Sequence, residues 1–137
     1  MLTYSGANAL LNCLCGRSQS YSYQTVYVGL STTAPNRSGD GHTEPTGNGY
    51  ARVLMSAGSS QSATWVMGAP ELGAAKNDKV VYFPEATGSW GTCTHFCLFS
   101  AQTGGTLIAY GALTDPISPV NGTVPIIRAG DLTMGIS

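Results

Sequence analysis

The sequence carries very little charge. Only 9% of its 137 residues are Asp, Glu, Lys or Arg, against ~25% in an average soluble domain. Six basic and seven acidic residues leave a formal net charge of −1, which provides no basic field for nucleic acid or an anionic membrane. No apolar run in the sequence approaches the ~20 residues that cross a bilayer. We therefore expect neither nucleic-acid binding nor membrane insertion.

Residues and motifs that carry catalysis are also scarce. The two histidines are His42 and His95, and no serine stands in a G-x-S-x-G motif. Glycine-rich phosphate-binding fingerprints are absent from the sequence. The seven acidic residues lie mostly in turn-rich segments of the sequence. Carboxylates in such segments cap turns rather than form a catalytic pair. The sequence predicts no enzyme, no catalytic residue and no cofactor.

Four cysteines are present: Cys13, Cys15, Cys93 and Cys97. The first residues lack a basic start and an A-x-A-like cleavage site, so reduced thiols are the default expectation. Cys93, His95 and Cys97 alternate along a predicted strand and are expected to share one face. Such a row could bind zinc, but alternate strand residues lie ~6.6 Å apart. We expect buried thiols and no metal site; disulfide formation stays open.

One helix is predicted near the N-terminus. Over residues 5–15, an apolar face repeats at the helical period, with Ser5 as the N-cap and Gly16 after the last turn. This defines an N-terminal helical segment over residues 1–16. Three leucines of the apolar face are candidate interface residues: Leu10, Leu11 and Leu14.

The rest of the chain has the pattern of short strands. Alternating apolar runs recur with turn signals every 8–12 residues, and Gly104-Gly105 predicts a tight hairpin of the primed type. The predicted strands number seven or eight. Five are 24–31, 50–56, 79–83, 92–99 and 106–113, residues 65–67 are a further candidate, and the segments 117–120, 123–129 and 131–136 supply two or three more. They indicate one all-β domain over residues 1–137, an antiparallel β-sandwich or jelly-roll-like fold. Residues 32–49 have no apolar period and are expected to form a long loop or arm.

Two aromatic residues are further interface candidates. Trp90 stands between Gly88 and Gly91, outside a predicted strand, and is interpreted as a wedge over the sandwich edge or as a contact residue. Tyr50 follows the long loop. Tyrosine and tryptophan anchor protein interfaces and also stack on sugars.

Several blocks of sequence together resemble one known family, the short tailed-phage virion proteins called tail fibre proteins. The blocks are N-A-L-L at 8–11, T-V-Y-V-G-L-S-T-T-A-P at 25–35, E-P-x-G-N-G-Y-A-R-V at 44–53, F-P-E-A-T-G-x-W-G-T-x-T-H-F at 83–96, T-G-G-x-L-I-A-Y-G-A-L-T at 103–114 and A-G-D-L-T at 129–133.

The resemblance implies a non-enzymatic structural protein of the virion, assembled in the host cytoplasm. It implies a fibre-like or baseplate-associated module that self-assembles, commonly as a trimer, and docks on other virion proteins. One alternative is a capsid decoration or cement protein. A further alternative is a module that binds host surface glycans through tyrosine and tryptophan.

Overall fold

A computed structural model describes residues 2–15, 26–55, 65–67, 74–77, 80–129 and 131–135. Within these residues the chain forms one helix, α1 (Tyr4–Leu14), and nine strands. The strands are β1 (Val26–Ser31), β2 (Val53–Met55), β3 (Trp65–Met67), β4 (Ala74–Asn77), β5 (Val81–Tyr82), β6 (Cys93–Phe99), β7 (Leu107–Ile117), β8 (Ile126–Ile127) and β9 (Thr133–Gly135). Their pairings are antiparallel. The all-β class with one short N-terminal helix is confirmed.

The largest sheet has the strand order β2-β1-β6-β7. Its register places Val28 opposite Leu98 and Leu30 opposite Phe96, and these four side chains belong to the main core. The opposite face carries a smaller buried cluster of Cys97, Phe99 and Leu107. Because both faces are covered, β1 and β6 are apolar almost throughout, as in strands buried on two sides.

Two smaller sheets complete the described architecture, with the orders β3-β4-β9 and β5-β8. The main core also contains Val81 of β5, Phe83 just after β5, and Ile127 of β8, which lie beside the side chains of the large sheet. Two sheets thus bury side chains in one core, which is consistent with the predicted sandwich. The extent of the domain over residues 1–137 stays a prediction.

The helix begins one residue earlier than predicted, and Thr3 rather than Ser5 provides its cap. The Thr3 hydroxyl accepts a hydrogen bond from the Gly6 amide at 3.1 Å and donates to the Leu107 and Ile108 carbonyls at 2.7 and 2.9 Å. The Thr3 amide also donates to the Ile108 carbonyl. The cap lies here because Leu2 pairs with Ala109 at the edge of β7, a long-range pairing that local sequence does not reveal.

Two segments differ from the prediction beyond the exact ends of strands. Residues 74–77, expected in a loop, form β4, because they pair with β3 and β9. The side chain of Asn77 supports this pairing, since it accepts from the Leu132 amide and donates to the Arg128 carbonyl. β7 continues to Ile117, which pairs with Cys93, so residues 117–120 form no separate strand. Residues 1, 16, 24–25, 56, 79 and 136 of the predicted elements lie outside the described residues.

The connection between β6 and β7 is longer than a two-residue hairpin. It runs over residues 100–106 and is closed by a hydrogen bond from the Ser100 amide to the Thr106 carbonyl. Gly104 and Gly105 have φ values of 65° and 73°, the left-handed conformation that a primed turn requires. The position of the turn is therefore predicted correctly, but the predicted two-residue length of the connection is wrong.

Candidate functional site

The long loop lies against its own chain. Residues 32–52, all described, form neither helix nor strand. The Thr32 amide donates to the Thr43 carbonyl at 2.9 Å, and the Thr43 amide donates to the Ser31 hydroxyl at 2.9 Å. These bonds place the second half of the loop over the face of the large sheet that carries Cys97 and Phe99.

A carboxylate, a phenol and a guanidinium meet beneath this loop. Arg52 binds Glu44 in a bidentate manner, with Nε to Oε1 at 2.9 Å and Nη2 to Oε2 at 2.7 Å. The Tyr50 hydroxyl donates to Glu44 Oε1 at 2.6 Å and accepts from the Leu30 amide at 3.0 Å. The Arg52 and Glu44 side chains are 9% and 20% exposed. This geometry is the strongest form of side-chain ion pair.

The same guanidinium also connects the loop to the β6–β7 connection. Its Nη1 donates to the carbonyls of Ala101 and Gly104 at 2.9 and 2.7 Å. Its central carbon lies 3.4 Å from the centre of the Phe99 ring, a cation–π contact. The His42 ring packs edge-on against Phe99, with 5.5 Å between ring centres. Arg52 therefore joins the loop, the sheet and a distant turn.

The charges in this cluster stabilise one another. Burial opposes ionisation of Glu44, but hydrogen bonds from Arg52 and Tyr50 and the Arg52 charge outweigh it, so the pKa of Glu44 is lowered. Burial and the hydrogen bond to Glu44 raise the pKa of Tyr50. The cluster is thus an ionised pair with a neutral phenol. Its described contacts satisfy its own groups, and it acts as a clamp that fixes the loop.

A glycine makes room for this clamp. A Cβ atom at Gly29 would lie 2.8 Å from Glu44 Oε1, 2.8 Å from the Tyr50 hydroxyl and 3.1 Å from the Phe99 ring. These separations are below contact distance, so any side chain at this position would displace the carboxylate. The glycine within β1 thus marks a close approach rather than a turn.

The two aromatic candidates stand together in the core. Trp90 is buried and packs edge-to-face on Tyr50, with 5.2 Å between ring centres. Its Nε1 donates to the Asn48 carbonyl at 2.8 Å, and the Asn48 side chain donates to the Ser89 carbonyl at 3.0 Å. These contacts favour the interpretation of Trp90 as a wedge that holds the end of the loop.

The leucine candidates lie on α1. Leu11 is exposed. For Leu10 and Leu14 the structure describes the helical backbone but not the side chains. The structure therefore places one of the three at the surface, and the interface role of all five candidate residues stays a prediction.

The expected common face for Cys93, His95 and Cys97 is wrong. The β6–β7 register shifts between Cys93 and His95, and Cys93 packs in the main core, whereas Cys97 packs in the cluster on the opposite face. At this point the pairing advances by two residues along β6 but by five along β7, so the alternation expected of an unbroken ladder is interrupted there. Within the described part of the chain, no group of three His, Cys, Asp or Glu side chains is placed to hold a metal ion.

Burial controls the chemistry of these thiols. It raises the pKa of the Cys93 thiol to about 11, and burial together with the Glu44 charge raises that of Cys97 to about 12. Both cysteines are free. Neutral buried thiols are weak nucleophiles, so these two residues serve packing.

An apolar surface was not predicted from the sequence. Tyr82 pairs directly with Ile126 across β5 and β8, and the same outward face carries Pro84 and Val124, two residues along each strand. Tyr82, Val124 and Ile126 are 65%, 48% and 40% exposed, and Pro84 is also exposed. We call these four residues the β5–β8 apolar face.

A groove adjoins this surface. It has a volume of about 390 Å³ and is lined by Val124 and Ile126 on one side and by Leu113 and Ile117 of β7 on the other. A signal for the surface was present in the sequence: the runs V-V-Y-F-P and V-P-I-I have no polar alternation. Such runs are also typical of strands buried on both faces. The sequence alone therefore does not identify the β5–β8 apolar face as a surface.

A family model described as podophage GP4 fiber I protein gp80 matches residues 1–135. No curated protein matches the chain. In the described part of the chain, no helix has the length and apolar character needed to cross a membrane.

Proposed function

The chain belongs to the family of podophage GP4 fiber I protein gp80, and from this membership we propose that it is a structural fibre module of a podophage virion. In this proposal it works without catalysis, by self-assembly and by docking on other virion proteins. The single observation that carries the proposal is the match over residues 1–135, which covers nearly the whole chain.

The physical character of the molecule supports this role. A clamped loop and a tryptophan wedge fix the surface of the large sheet, which suits a rigid building block. A net charge of −1 lets many copies gather without strong mutual repulsion. The ionised Glu44–Arg52 pair and the buried thiols are engaged in structure, which agrees with a role in binding rather than reaction.

The alternatives receive less support. A glycan-binding module needs an aromatic side chain that presents its ring to solvent. Trp90 is buried and Tyr50 is half-buried beneath the loop, so neither of these two candidates offers such a surface. Tyr82 and Tyr4 are exposed, but each is a single ring and not part of a described aromatic cluster. A capsid decoration protein would share the low charge, and the position in the particle distinguishes it from a fibre.

The experiment is a cryo-EM map of purified particles of the phage that encodes this chain, combined with copy counting by quantitative mass spectrometry. We expect density confined to the tail and its fibres, at a few to a few dozen copies per particle. Density on the capsid lattice at hundreds of copies would replace the fibre role with capsid decoration. Absence of the chain from purified particles would overturn the virion role itself.

A further inference from the structure

The β5–β8 ladder has an unusual distribution of side chains. Its inner positions, Val81, Phe83, Pro125 and Ile127, are buried, as expected for the core side of an antiparallel pair. The outer positions of such a pair normally carry polar residues. Here they carry the four residues of the β5–β8 apolar face. Exposed apolar residues on both strands of one ladder indicate a surface that is covered in use.

The size of this surface fits a protein contact. Its four side chains present roughly 300 Å² of apolar area, taking about 200 Å² for a whole aromatic residue and less for the others. A standard interface buries ~800 Å² on each partner, of which a little over half is apolar. The β5–β8 apolar face therefore supplies the greater part of the apolar core of one interface. The adjoining groove with Leu113 and Ile117 extends it.

The charges at its ends favour a second copy of the same chain. Exposed Glu85 follows Pro84 at one end of the ladder, and exposed Arg128 follows β8 at the other. The ends of the ladder thus carry opposite charges, and its centre carries none. The groove beside Arg128 also contains the acidic residues Asp115 and Asp131, so charges of both signs border the apolar face and no single sign dominates it. An identical face placed in the opposite direction matches apolar centre to apolar centre and Glu85 to Arg128.

We propose that copies of this chain associate through the β5–β8 apolar face. The inference rests on the self-assembly in the proposed function and adds the surface and the residues that mediate it. Tyr82 is its central contact, since a large exposed aromatic residue in the middle of an apolar patch is typical of the residues that dominate binding energy.

The experiment compares the full-length chain with three variants. Sedimentation equilibrium over a range of concentrations measures the association constant. The double variant Tyr82→Ser with Ile126→Ser removes the two facing apolar side chains. Tyr82→Phe keeps the ring and loses only the hydroxyl. Leu54→Ser, which changes an exposed apolar residue of β2 away from the face, is the matched control.

We expect a wild-type oligomer, at least about a 100-fold loss of association in the double variant, and wild-type association in Tyr82→Phe and Leu54→Ser. Near-UV circular dichroism must report native packing in the double variant. If it does not, the milder single variant Val124→Ser is measured in its place, with a smaller but clear loss expected.

Two results would overturn the inference. A native double variant that associates as tightly as wild type would show that copies meet through another surface, and the proposed self-assembly would survive. A wild-type chain that remains monomeric at every concentration would remove both this contact and self-assembly, while the location of the chain in the particle would still be tested separately by the cryo-EM map.

Discussion

The Arg52–Glu44 clamp makes a quantitative prediction about stability. Replacing Arg52 with alanine leaves the Glu44 carboxylate with the Tyr50 hydroxyl as its remaining described side-chain partner. Removing one partner of a buried ion pair costs ~3–5 kcal/mol of unfolding free energy, and the lower part of that range applies because Glu44 retains some exposure. Loss of the Phe99 contact adds ~1 kcal/mol. We expect Arg52→Ala to destabilise the fold by about 4 kcal/mol.

The contribution of the pair itself follows from a double-mutant cycle. Glu44→Ala leaves Arg52 bound to two carbonyls and stacked on Phe99, so it should cost less, about 3 kcal/mol. The double variant should cost little more than Arg52→Ala alone, about 4–5 kcal/mol, because it leaves no unpaired charge. The resulting coupling energy is about 2–3 kcal/mol.

Urea denaturation at a fixed chain concentration, followed by circular dichroism, measures the four unfolding free energies. Arg52→Lys serves as the conservative control: it keeps the charge but loses the bidentate geometry, and we expect it to recover less than half of the loss. A coupling energy below ~1 kcal/mol would place the pair among ordinary exposed salt bridges and would refute its role as a clamp.

Three further predictions concern pH, packing and thiols. Because the pKa of Glu44 is lowered in the folded chain, its stabilisation should be full above the ordinary carboxyl pKa of 4.5 and be lost as pH falls through the lower value; Glu44→Gln should flatten that part of the acid denaturation curve. Gly29→Ala should cost ~1–3 kcal/mol in urea denaturation, since the added methyl overlaps the clamp; wild-type stability would contradict the close approach. With a thiol reagent at pH 8 and peptide mapping, exposed Cys15 should be labelled while Cys93 and Cys97 stay protected until denaturant is added.

Local sequence predicted the elements whose own residues determine them. The alternation of Val26, Val28 and Leu30 gave β1, and the apolar run before Ser100 gave β6. It missed β4, whose residues A-A-K-N have little strand propensity. That strand lies between β3, which is close in sequence, and β9, which is more than fifty residues later, and the distant pairing is one that no local pattern encodes. The register shift after Cys93 likewise depends on how β6 meets β7.

The clamp was only partly accessible from sequence. Glu44, Tyr50 and Arg52 all stand in one of the blocks that carry the family resemblance, but a separation of eight residues inside a loop matches no periodic contact rule. Gly29 interrupts an otherwise apolar strand, and this interruption was the only sequence signal for the close approach of the Glu44 and Tyr50 side chains to β1. The β5–β8 apolar face stayed hidden because a strand that is apolar on both sides looks the same whether a neighbour in the same chain or a second chain covers it.

The Thr3 contacts with β7 also determine when this chain can fold. Thr3 binds the carbonyl of a residue 105 positions later, and the residues of β1 pair with residues of β6 that lie 64 to 72 positions later, from Ser31↔His95 to Tyr27↔Phe99. Contacts this far apart require closure of large loops before any stabilisation is gained, which slows folding to milliseconds or longer. During synthesis, β1 can pair with β2 early, but the large sheet is complete only after β6 and then β7 have left the ribosome. The helix cap at Thr3 therefore forms late, although Thr3 is among the first residues to be synthesised.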